Sequence, residues 1–474
     1  MTTSVATLDG REAKISDEEI EELRRQIRGA VTTGTEQSAR EVFNAMHPGN
    51  PALTAECTST ADVVAAVNFA RERRLLVAVR GGGHSIAGLS AVDGGMLIDL
   101  AAMRGVHVEP DRRVAHVQGG ALWADLDQEC QAFALATPGG VVSDTGVGGL
   151  TLGGGYGWLR RKYGLSCDNV REAQIVCADG KIRTASADTN PDLYWAIRGG
   201  GGNFGIATSF TFELHDLGPL VAFAATFYPL DEVGDILRRW RDYVADAPDE
   251  VTSTVVTITF PAHPDAPEAI HGRPCAIVGG VYAGDADEGL AVMQPLRELG
   301  TPLFDMSGPM PFTAVQAGFD GIFPRNALQA YWKSQYLDEL PDAAIDLVAA
   351  KAHERPAPFV MINIYHMGGA IPTVDPEATA FAERTAPFMV SIDGMWADPA
   401  DNADNIAWVR GAWEDLKKFG NGGVYLNFTG MADEMPSAGV DTAFGRNLER
   451  LAAIKATYDP DNFFRLNNNI APPA

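Results

Sequence analysis

The stretch from 77 to 90, VAVRGGGHSIAGLS, constrains this chain most, because an apolar run leads directly into three consecutive glycines. The run from Leu75 to Val79 predicts a short buried strand. The glycines at 81–83 free the backbone to turn its N–H groups toward an anion, and a dinucleotide pyrophosphate would suit them. His84 and Ser85 then stand beside whatever the phosphates deliver. Taken alone, the stretch is equally compatible with a glycine turn beside a structural histidine.

The length and charge of the chain limit its architecture and its partners. At 474 residues it exceeds the size at which single cores stop growing, so we expect two domains. The formal charge of −25, from 62 acidic and 37 basic residues, disfavours nucleic acid and anionic membrane surfaces as partners. Any bound phosphate must therefore be held mainly by backbone dipoles.

The N-terminal residues and the cysteines indicate where the protein acts. The opening MTTSVATLDGREAK lacks the positive-then-apolar order of a signal peptide. No apolar run approaches the roughly eighteen residues of a membrane span, and we expect a cytoplasmic protein. The five cysteines are widely spaced and include no CxxC pair, which predicts neither a disulfide framework nor a metal site.

Local signals predict several elements in the first half of the chain. A capping box from Ser16 to Glu19 starts one helix, and Ser59 starts another that leads into the strand before the glycines. We expect a strand at 96–100, a hairpin around Pro110 and a second hairpin at 170–185.

The densest glycine region runs from 146 to 164 and reads GVGGLTLGGGYGWLRRKYG. So many glycines argue against an ordinary helix, because each one weakens a helix by about 1 kcal/mol relative to alanine. Aliphatic and aromatic residues between the glycines favour a backbone laid closely against a flat ligand. A loosely packed loop is the alternative.

Two motifs imitate known sites. Gly200, Gly202 and Gly205 satisfy G-x-G-x-x-G, yet the preceding DLYWAIR is helical in pattern and the following ATSFTFEL alternates as a strand. A Rossmann fingerprint needs the opposite order, so nicotinamide binding by that route is rejected. The segment GHSIA at 83–87 has alanine where a hydrolase nucleophile elbow needs glycine, which weakens a serine hydrolase built on Ser85 and His84.

Glycine density falls after Leu217-Gly218-Pro219, where we place a domain boundary. The pattern beyond it predicts a mixed α/β domain. Strands are expected at 221–228, 252–260, 276–282, 359–366 and 388–392, with a last strand at 423–428. Helices are expected near Asp231, Asp287, Asp342, Asp375 and Asn405, with a closing helix from Thr442 to Tyr458.

Segments in one order along the chain resemble the berberine bridge enzyme-like flavoprotein oxidases of the vanillyl-alcohol oxidase superfamily. They are RGGGHSIAG, VGGLTLGGGYGWLRRKYGLSCDNV, WAIRGGGGNFGI, Tyr425-Leu-Asn427 and DPDNFFRLNNNI. The resemblance implies an α+β fold with a PCMH-type FAD-binding domain at 40–217, completed by residues 441–474. A mixed α/β substrate domain at 218–440 is inserted between them and covers the flavin.

The resemblance also implies how FAD is held. In the family, the histidine that matches His84 carries the flavin covalently through the 8α-methyl group, which makes the ring a stronger oxidant. The matching cofactor-binding residues are Arg80, Gly81, Gly82, Gly83, Ser85, Gly88, Gly139, Thr145, Gly146, Gly148, Gly149, Leu152, Gly205, Ile206, Asn427 and Asn469.

Two departures from the family pattern bear on the flavin. Many relatives add a second bond from a cysteine, but Val142 stands at that position, so no second link is expected. Cys167 is the alternative ligand. Thr145 replaces a small aliphatic residue at a position that resembles an oxygen-access gate, which leaves oxidase and dehydrogenase both open.

By the same resemblance, Tyr425 is the catalytic base and Asn427 holds its strand against the cofactor. Two further catalytic candidates are Tyr156, which borders the substrate, and Tyr365, which lies on the strand that faces the flavin ring. Tyr425 takes a proton from a substrate hydroxyl while hydride passes to flavin N5, and molecular oxygen then gives hydrogen peroxide. A tyrosine with a pKa near 10 needs hydrogen bonds or a cation to act so. The implied substrate is an alcohol, sugar or phenolic secondary metabolite. Alternatives are a dehydrogenase with a non-oxygen acceptor, a flavin-loaded binding protein and a serine hydrolase.

Overall fold

The computed structural model describes residues 2–34, 42–262, 264–431, 434 and 440–473. The expected domain start at residue 40 lies outside these ranges. The strands are β1 Thr2–Ala6, β2 Glu12–Ser16, β3 Val31–Thr33, β4 Leu53–Glu56, β5 Val77–Arg80, β6 Met96–Asp99, β7 Val106–Glu109, β8 Val114–Gln118, β9 Leu135–Ala136, β10 Val170–Val176, β11 Ile182–Ser186, β12 Ile206–Glu213, β13 His215–Asp216, β14 Leu220–Pro229, β15 Val251–Thr259, β16 Pro274–Tyr282, β17 Phe304–Asp305, β18 Gly308–Pro311, β19 Gln329–Leu337, β20 Met361–His366 and β21 Phe388–Trp396.

The helices alternate with these strands through most of the chain. They are α1 Asp17–Gln26, α2 Thr60–Glu72, α3 Trp123–Gln131, α4 Val147–Leu152, α5 Arg160–Tyr163, α6 Pro191–Ala196, α7 Val233–Ala245, α8 Ala286–Val292, α9 Phe312–Ala317, α10 Asp342–His353, α11 Asn402–Leu416, α12 Val440–Phe444 and α13 Leu448–Tyr458. The mixture of helix and sheet confirms the α+β class.

The first half of the chain builds a four-stranded and a five-stranded sheet, besides the two-stranded sheets β1-β2 and β9-β13. The four-stranded sheet has the order β3-β4-β6-β5, with β4 and β5 both parallel to β6. The five-stranded sheet is antiparallel with the order β11-β10-β12-β8-β7. Helix α2 starts at its predicted N-cap, Ser59, and packs against both sheets. The capping box between Ser16 and Glu19 is also present. Both predicted helix starts are thus confirmed.

The second half is dominated by one eight-stranded sheet with the order β17-β14-β16-β15-β20-β21-β19, in which β18 pairs with β14. Alternate side chains of a strand point to opposite faces. On β20, Ile362 and Ile364 face the core formed with helices α7, α10 and α11, whereas Met361 and Tyr365 face the other way. The second face of this sheet therefore lines one side of a cavity, and the glycine-rich half of the chain lines the other side.

The structure corrects the prediction for the glycine-rich region. Residues Val147–Leu152 form a short helix although Gly148 and Gly149 lie within it. A Cβ at Gly148 would meet the Gly119 carbonyl oxygen at 2.9 Å, so tight packing selects glycine here. Tertiary packing overrides the low helix propensity, as it commonly does.

The predicted last strand at 423–428 is also wrong, because this segment is a turn. The Phe428 amide donates to the Tyr425 carbonyl at 2.9 Å, and the segment contacts the edge strand β19 near its two ends. Strand β19 itself had no counterpart in the sequence prediction. The turn lets Tyr425 and Asn427 approach the cavity from outside the sheet.

Two predicted helices differ from the structure. Near Asp375 the structure has only a single 3₁₀ turn, Ile371–Thr373, in place of the predicted helix. The closing helix is interrupted at Gly445, which has a φ of +48° and separates α12 from α13.

A buried ion pair fixes the C-terminal tail. Lys455 Nζ lies 2.6 Å from Asp459 Oδ2 and donates to the Asn203 carbonyl at 2.8 Å and to the Phe464 carbonyl at 3.0 Å. Asp459 also accepts from the backbone amide of Phe464 at 2.9 Å. Neither side chain of the pair is exposed. The pair therefore ties the tail to the loop at residue 203.

We expect Asp459→Ala to lower the free energy of unfolding by about 3–5 kcal/mol, because it leaves a buried ammonium without its counter-ion. The control is Glu414→Ala, which breaks the surface pair with Lys417, whose side chains are 64% and 56% exposed. That change should cost less than about 1 kcal/mol. Urea denaturation of the two variants measures both values, and equal effects would contradict the assignment.

Candidate functional site

A long cavity lies between the glycine-rich half of the chain and the open face of the eight-stranded sheet. Its empty space is about 1740 Å³, including its open mouth. The lining comes from the turn after β5, the loop and helix at 140–153, the glycines at 201–205, the turn at 425–429 and the tail at 464–468. Segments distant in sequence thus converge on one ligand-sized space.

The first glycine turn packs directly against the loop before α4. Gly82 lies so close to the backbone of Gly146 that a Cβ on either glycine would collide with backbone atoms of the other. Gly83 has a φ of +68°, and its carbonyl accepts from the Phe43 amide at 2.9 Å. Only glycine allows this contact and this conformation. The two glycine segments therefore form one continuous wall of bare backbone.

Buried acceptors in the tail show what kind of ligand fits. Asn467 donates to the Gly202 and Phe464 carbonyls, and Asn468 donates to the Leu426 carbonyl. The side-chain oxygens of both asparagines are buried without a protein partner among the described residues. Both residues line the cavity, so a ligand carrying N–H and O–H donors would satisfy them. The hydroxyls and imide of a flavin meet that requirement.

The charges of the lining agree with a dinucleotide held by backbone. Among the described residues that line the cavity there is neither lysine nor arginine, and the only carboxylate is Asp393. A diphosphate bound here would rest on N–H groups, as the acidic composition predicts. Within the same described ranges, no cluster of potential metal ligands occurs, and no helix is long and apolar enough to span a membrane.

His84 sits where the glycine wall meets the sheet. Its ring stacks on Phe43 with centroids 4.1 Å apart, and its Nε2 lies 3.2 Å from Asp144 Oδ1. Arg325 Nε lies 2.7 Å from the other oxygen of Asp144. Burial tends to raise the pKa of Asp144, but His84 and Arg325 outweigh it, so the pKa is lowered. Asp144 is therefore an ionised carboxylate beside the imidazole.

A chain of aromatic rings extends from His84 along the cavity. Phe43 contacts Trp332 at 5.8 Å between centroids, and Trp332 contacts Phe428 at 5.0 Å. Tyr156 then lies 4.7 Å from Tyr425 and 5.1 Å from Tyr365. The three predicted catalytic tyrosines therefore lie together, at the end of the cavity that is farther from His84 along this row of rings. Such a wall favours a planar, largely apolar ligand.

Tyr425 lines the cavity, but the cavity does not lower the pKa of its phenol. Asn427 donates to the Tyr425 hydroxyl at 2.8 Å, and the backbone amides of Gly155 and Tyr156 also favour the phenolate. Burial outweighs these contacts and raises the pKa of Tyr425 above its usual value. The protein's own contacts therefore do not, on balance, favour the phenolate. At neutral pH Tyr425 is a protonated phenol.

Asp393 is a candidate site residue that the sequence analysis missed. It lies on β21 beside Trp332 of β19, lines the cavity, and accepts hydrogen bonds from Ser391 and from Asn363 Nδ2. Burial raises its pKa to about 7, although both hydrogen bonds act in the opposite direction. The signal in the sequence is Ser391 and Asp393 at alternate positions of an apolar strand. The predicted strand ended at residue 392, one residue before the carboxylate.

Most of the predicted site residues line this cavity. They are Gly81, Gly82, Gly83, His84, Ser85, Thr145, Gly146, Gly148, Gly149, Leu152, Tyr156, Gly205, Ile206, Tyr365, Tyr425 and Asn427. Four do not line it. Arg80 is paired with Asp99, Gly88 packs on His47, and Gly139 packs on Trp123. In the tail, Asn467 and Asn468 line the cavity instead of Asn469.

Position 142, where relatives carry the cysteine of a second flavin link, and the alternative ligand Cys167 lie in different surroundings. Val142 lines the cavity, whereas Cys167 is buried beside it and does not line it. Burial raises the pKa of the Cys167 thiol, which makes it a poor nucleophile. All five cysteines are buried as free thiols.

Two family models match the chain, and both matched regions contribute to the cavity. Residues 51–186 match the FAD binding domain model, and residues 424–471 match the berberine and berberine-like model. A FAD-linked oxidoreductase of Dictyostelium discoideum is 30% identical over 441 residues, 92% of this chain and 92% of that protein. The monolignol oxidoreductase AtBBE-like 13 of Arabidopsis thaliana is 30% identical over 440 residues, 86% of this chain and 81% of that protein.

Solved structures share the fold over nearly the whole chain. 6-Hydroxy-D-nicotine oxidase from Arthrobacter nicotinovorans is similar with a TM-score of 0.83 at 26% identity, covering 94% of this chain and 98% of that one. Chitooligosaccharide oxidase has a TM-score of 0.82 at 22% identity, which is a likeness of fold alone; 96% of this chain and 100% of that one are covered. The protein therefore belongs to the berberine bridge enzyme-like family of FAD-linked oxidoreductases.

Proposed function

We propose that this FAD-linked oxidoreductase is an oxidase of a small, uncharged aromatic alcohol, with molecular oxygen as the electron acceptor and hydrogen peroxide as a product. The observation that carries the proposal is Asp393, a buried carboxylate with a pKa of about 7 at the aromatic end of the cavity. A general base works best when its pKa is near the operating pH.

The cofactor is assigned to the glycine wall. FAD, when bound, accepts the hydride and passes the two electrons on. Backbone amides of residues 81–85 and 145–149 hold its diphosphate, Asn467 and Asn468 accept from its donors, and His84 carries it covalently without a second cysteinyl link. Residues 40–217 and 441–474 form the FAD-binding part, and 218–440 the substrate part.

In the proposed reaction, ionised Asp393 accepts the proton of the substrate hydroxyl as hydride leaves the adjacent carbon. Tyr425 accepts a hydrogen bond from Asn427, so its own O–H is free to donate to the substrate oxygen. This role replaces the base role predicted for Tyr425, because its raised pKa keeps it protonated. Tyr156 and Tyr365 hold the substrate ring against the wall.

The substrate class follows from the lining. No lysine or arginine is among the described lining residues, and the carboxylate of Asp393 lies at the aromatic end of the cavity, so that end disfavours an anionic substrate. Trp332, Phe428 and the tyrosines offer ring faces rather than the many hydrogen-bonding groups that a sugar needs. The 30% identity to a monolignol oxidoreductase supports an aromatic alcohol, whereas the chitooligosaccharide oxidase shares only the fold.

Gly149→Ala tests whether FAD lies against the glycine wall. A Cβ at Gly149 meets no protein atom within 4 Å, and the residue lines the cavity. We expect the flavin-free protein to gain about 0.5–1 kcal/mol of stability, because alanine favours helix. FAD affinity should fall at least about tenfold, measured by fluorescence titration, because a methyl group occupies ligand space.

The matched control is Gly411→Ala in α11, where a Cβ also meets nothing within 4 Å. It should give the same gain in stability and leave FAD affinity unchanged. Wild-type affinity in Gly149→Ala would show that the flavin does not pass along this wall.

Asp393→Asn and Tyr425→Phe separate the two candidate bases. With cinnamyl alcohol, the anaerobic rate of flavin reduction should rise with pH through about 7, because the pKa of Asp393 lies there and its carboxylate form is the base. Asp393→Asn should lower this rate by about 10²–10⁴ and abolish the pH dependence. Tyr425→Phe should lower it by about tenfold and keep the midpoint. The reverse ranking would make Tyr425 the base.

The acceptor is tested separately, since Thr145 lines the cavity at the position that resembles an oxygen gate. After anaerobic reduction with cinnamyl alcohol, admission of air should reoxidise the flavin and release one equivalent of peroxide. Reoxidation by a quinone but not by air would instead establish a dehydrogenase. Absence of reduction by any alcohol in a panel would overturn the enzymatic proposal.

A further inference from the structure

Asp144 occupies a place that neither the glycine wall nor the proposed catalysis explains. Its carboxylate lies between two side chains, with Oδ1 at 3.2 Å from His84 Nε2 and Oδ2 at 2.7 Å from Arg325 Nε. The side chain is 25% exposed, and that of His84 only 11%. The contact with His84 has the distance of an ion pair but not the alignment of a hydrogen bond. A largely buried carboxylate beside one ring nitrogen favours the proton on that nitrogen.

The loop that carries Asp144 is clamped by the second half of the chain. Arg325 also donates to the Asp144 carbonyl at 2.9 Å and to the Gly82 carbonyl. Asp320 accepts from the Ser143 amide at 2.9 Å and from its hydroxyl at 2.5 Å. The carboxylate is therefore held in position from both sides and cannot swing away from the histidine.

The imidazole is equally constrained. Stacking on Phe43, at an interplanar angle of 17°, fixes the plane of the His84 ring. The Asp144 carboxylate lies beside Nε2 and not beside Nδ1, so its negative charge favours the proton on Nε2 and leaves the lone pair of Nδ1 available on the other side of the ring. A neutral imidazole with one free lone pair is a nucleophile, whereas an imidazolium is not.

We propose that Asp144 is a positioning residue for covalent attachment of the flavin at His84, with Arg325 orienting its carboxylate. This inference rests on the proposed attachment of FAD to His84. Asp144 keeps the proton on Nε2, so that Nδ1 forms the new bond to the 8α carbon. That carbon would lose one hydrogen as a proton, the electron pair of its C–H bond would pass to the flavin ring, and the alkylated imidazole would give up its Nε2 proton. Molecular oxygen would take up the two electrons and the two protons and become hydrogen peroxide.

The test follows attachment directly and does not depend on turnover. Protein produced in a riboflavin-starved host is mixed with FAD, noncovalent affinity is measured by fluorescence, and attachment by intact mass and by flavin fluorescence of the denatured band. Asp144→Asn should bind FAD within about threefold of wild type but attach it at least about tenfold more slowly at saturating FAD. Asp144→Glu should restore much of the rate. His84→Ala should attach none.

Asp320→Asn is the matched control, because it loosens the same loop without touching His84. It should change affinity or stability while leaving the saturating attachment rate intact. An unchanged rate in Asp144→Asn, or a loss of affinity with an unchanged saturating rate, would overturn the inference. Should Asp144→Asn not fold, Asp144→Ser removes the same charge and is judged by the same two outcomes. Wild-type protein that never attaches FAD would instead refute the His84 link itself.

Discussion

Direct contact between two stretches of bare backbone organises this protein. Gly82 and Gly146 lie against each other with no room for a Cβ on either. This contact makes a continuous wall of N–H groups from segments about sixty residues apart. It also sets His84 beside Asp144, because His84 directly follows the glycines at 81–83 and Asp144 lies two residues before Gly146. Because no lysine or arginine is among the described lining residues, a diphosphate bound here would rest on such neutral donors.

The eight-stranded sheet completes the site by using its two faces differently. One face packs helices α7, α8, α10 and α11 into an apolar core, and the other presents Trp332, Tyr365 and Asp393 to the cavity. The period of two along each strand thus separates residues that stabilise the domain from residues that act on substrate. Burial of Asp393 is tolerated because Ser391 and Asn363 donate to it. The same burial brings its pKa to a useful value.

Local sequence signals predicted much of the fold and the cofactor side of the site. The N-cap Ser59, the hairpins and the glycine segments could each be predicted from residues close together in the sequence. The family resemblance then assigned these segments to one fold. The family assignment also removes the serine hydrolase alternative, and Ser85 Oγ accepts from the Leu89 amide. The substrate side was less predictable. Asp393 and Tyr425 gain their properties from burial by distant strands, and Asp144 meets Arg325 across 181 residues of sequence.

The central claim is that a flavin bridges the glycine wall and the buried carboxylate. A crystal structure of the flavin-loaded protein tests it most directly. We expect density for the diphosphate on the backbone of 81–85 and 145–149, and for the isoalloxazine ring between His84 and Asp393, with its dimethylbenzene edge bonded to His84. Density that places the ring away from Asp393, or leaves the glycine wall bare, would contradict this account.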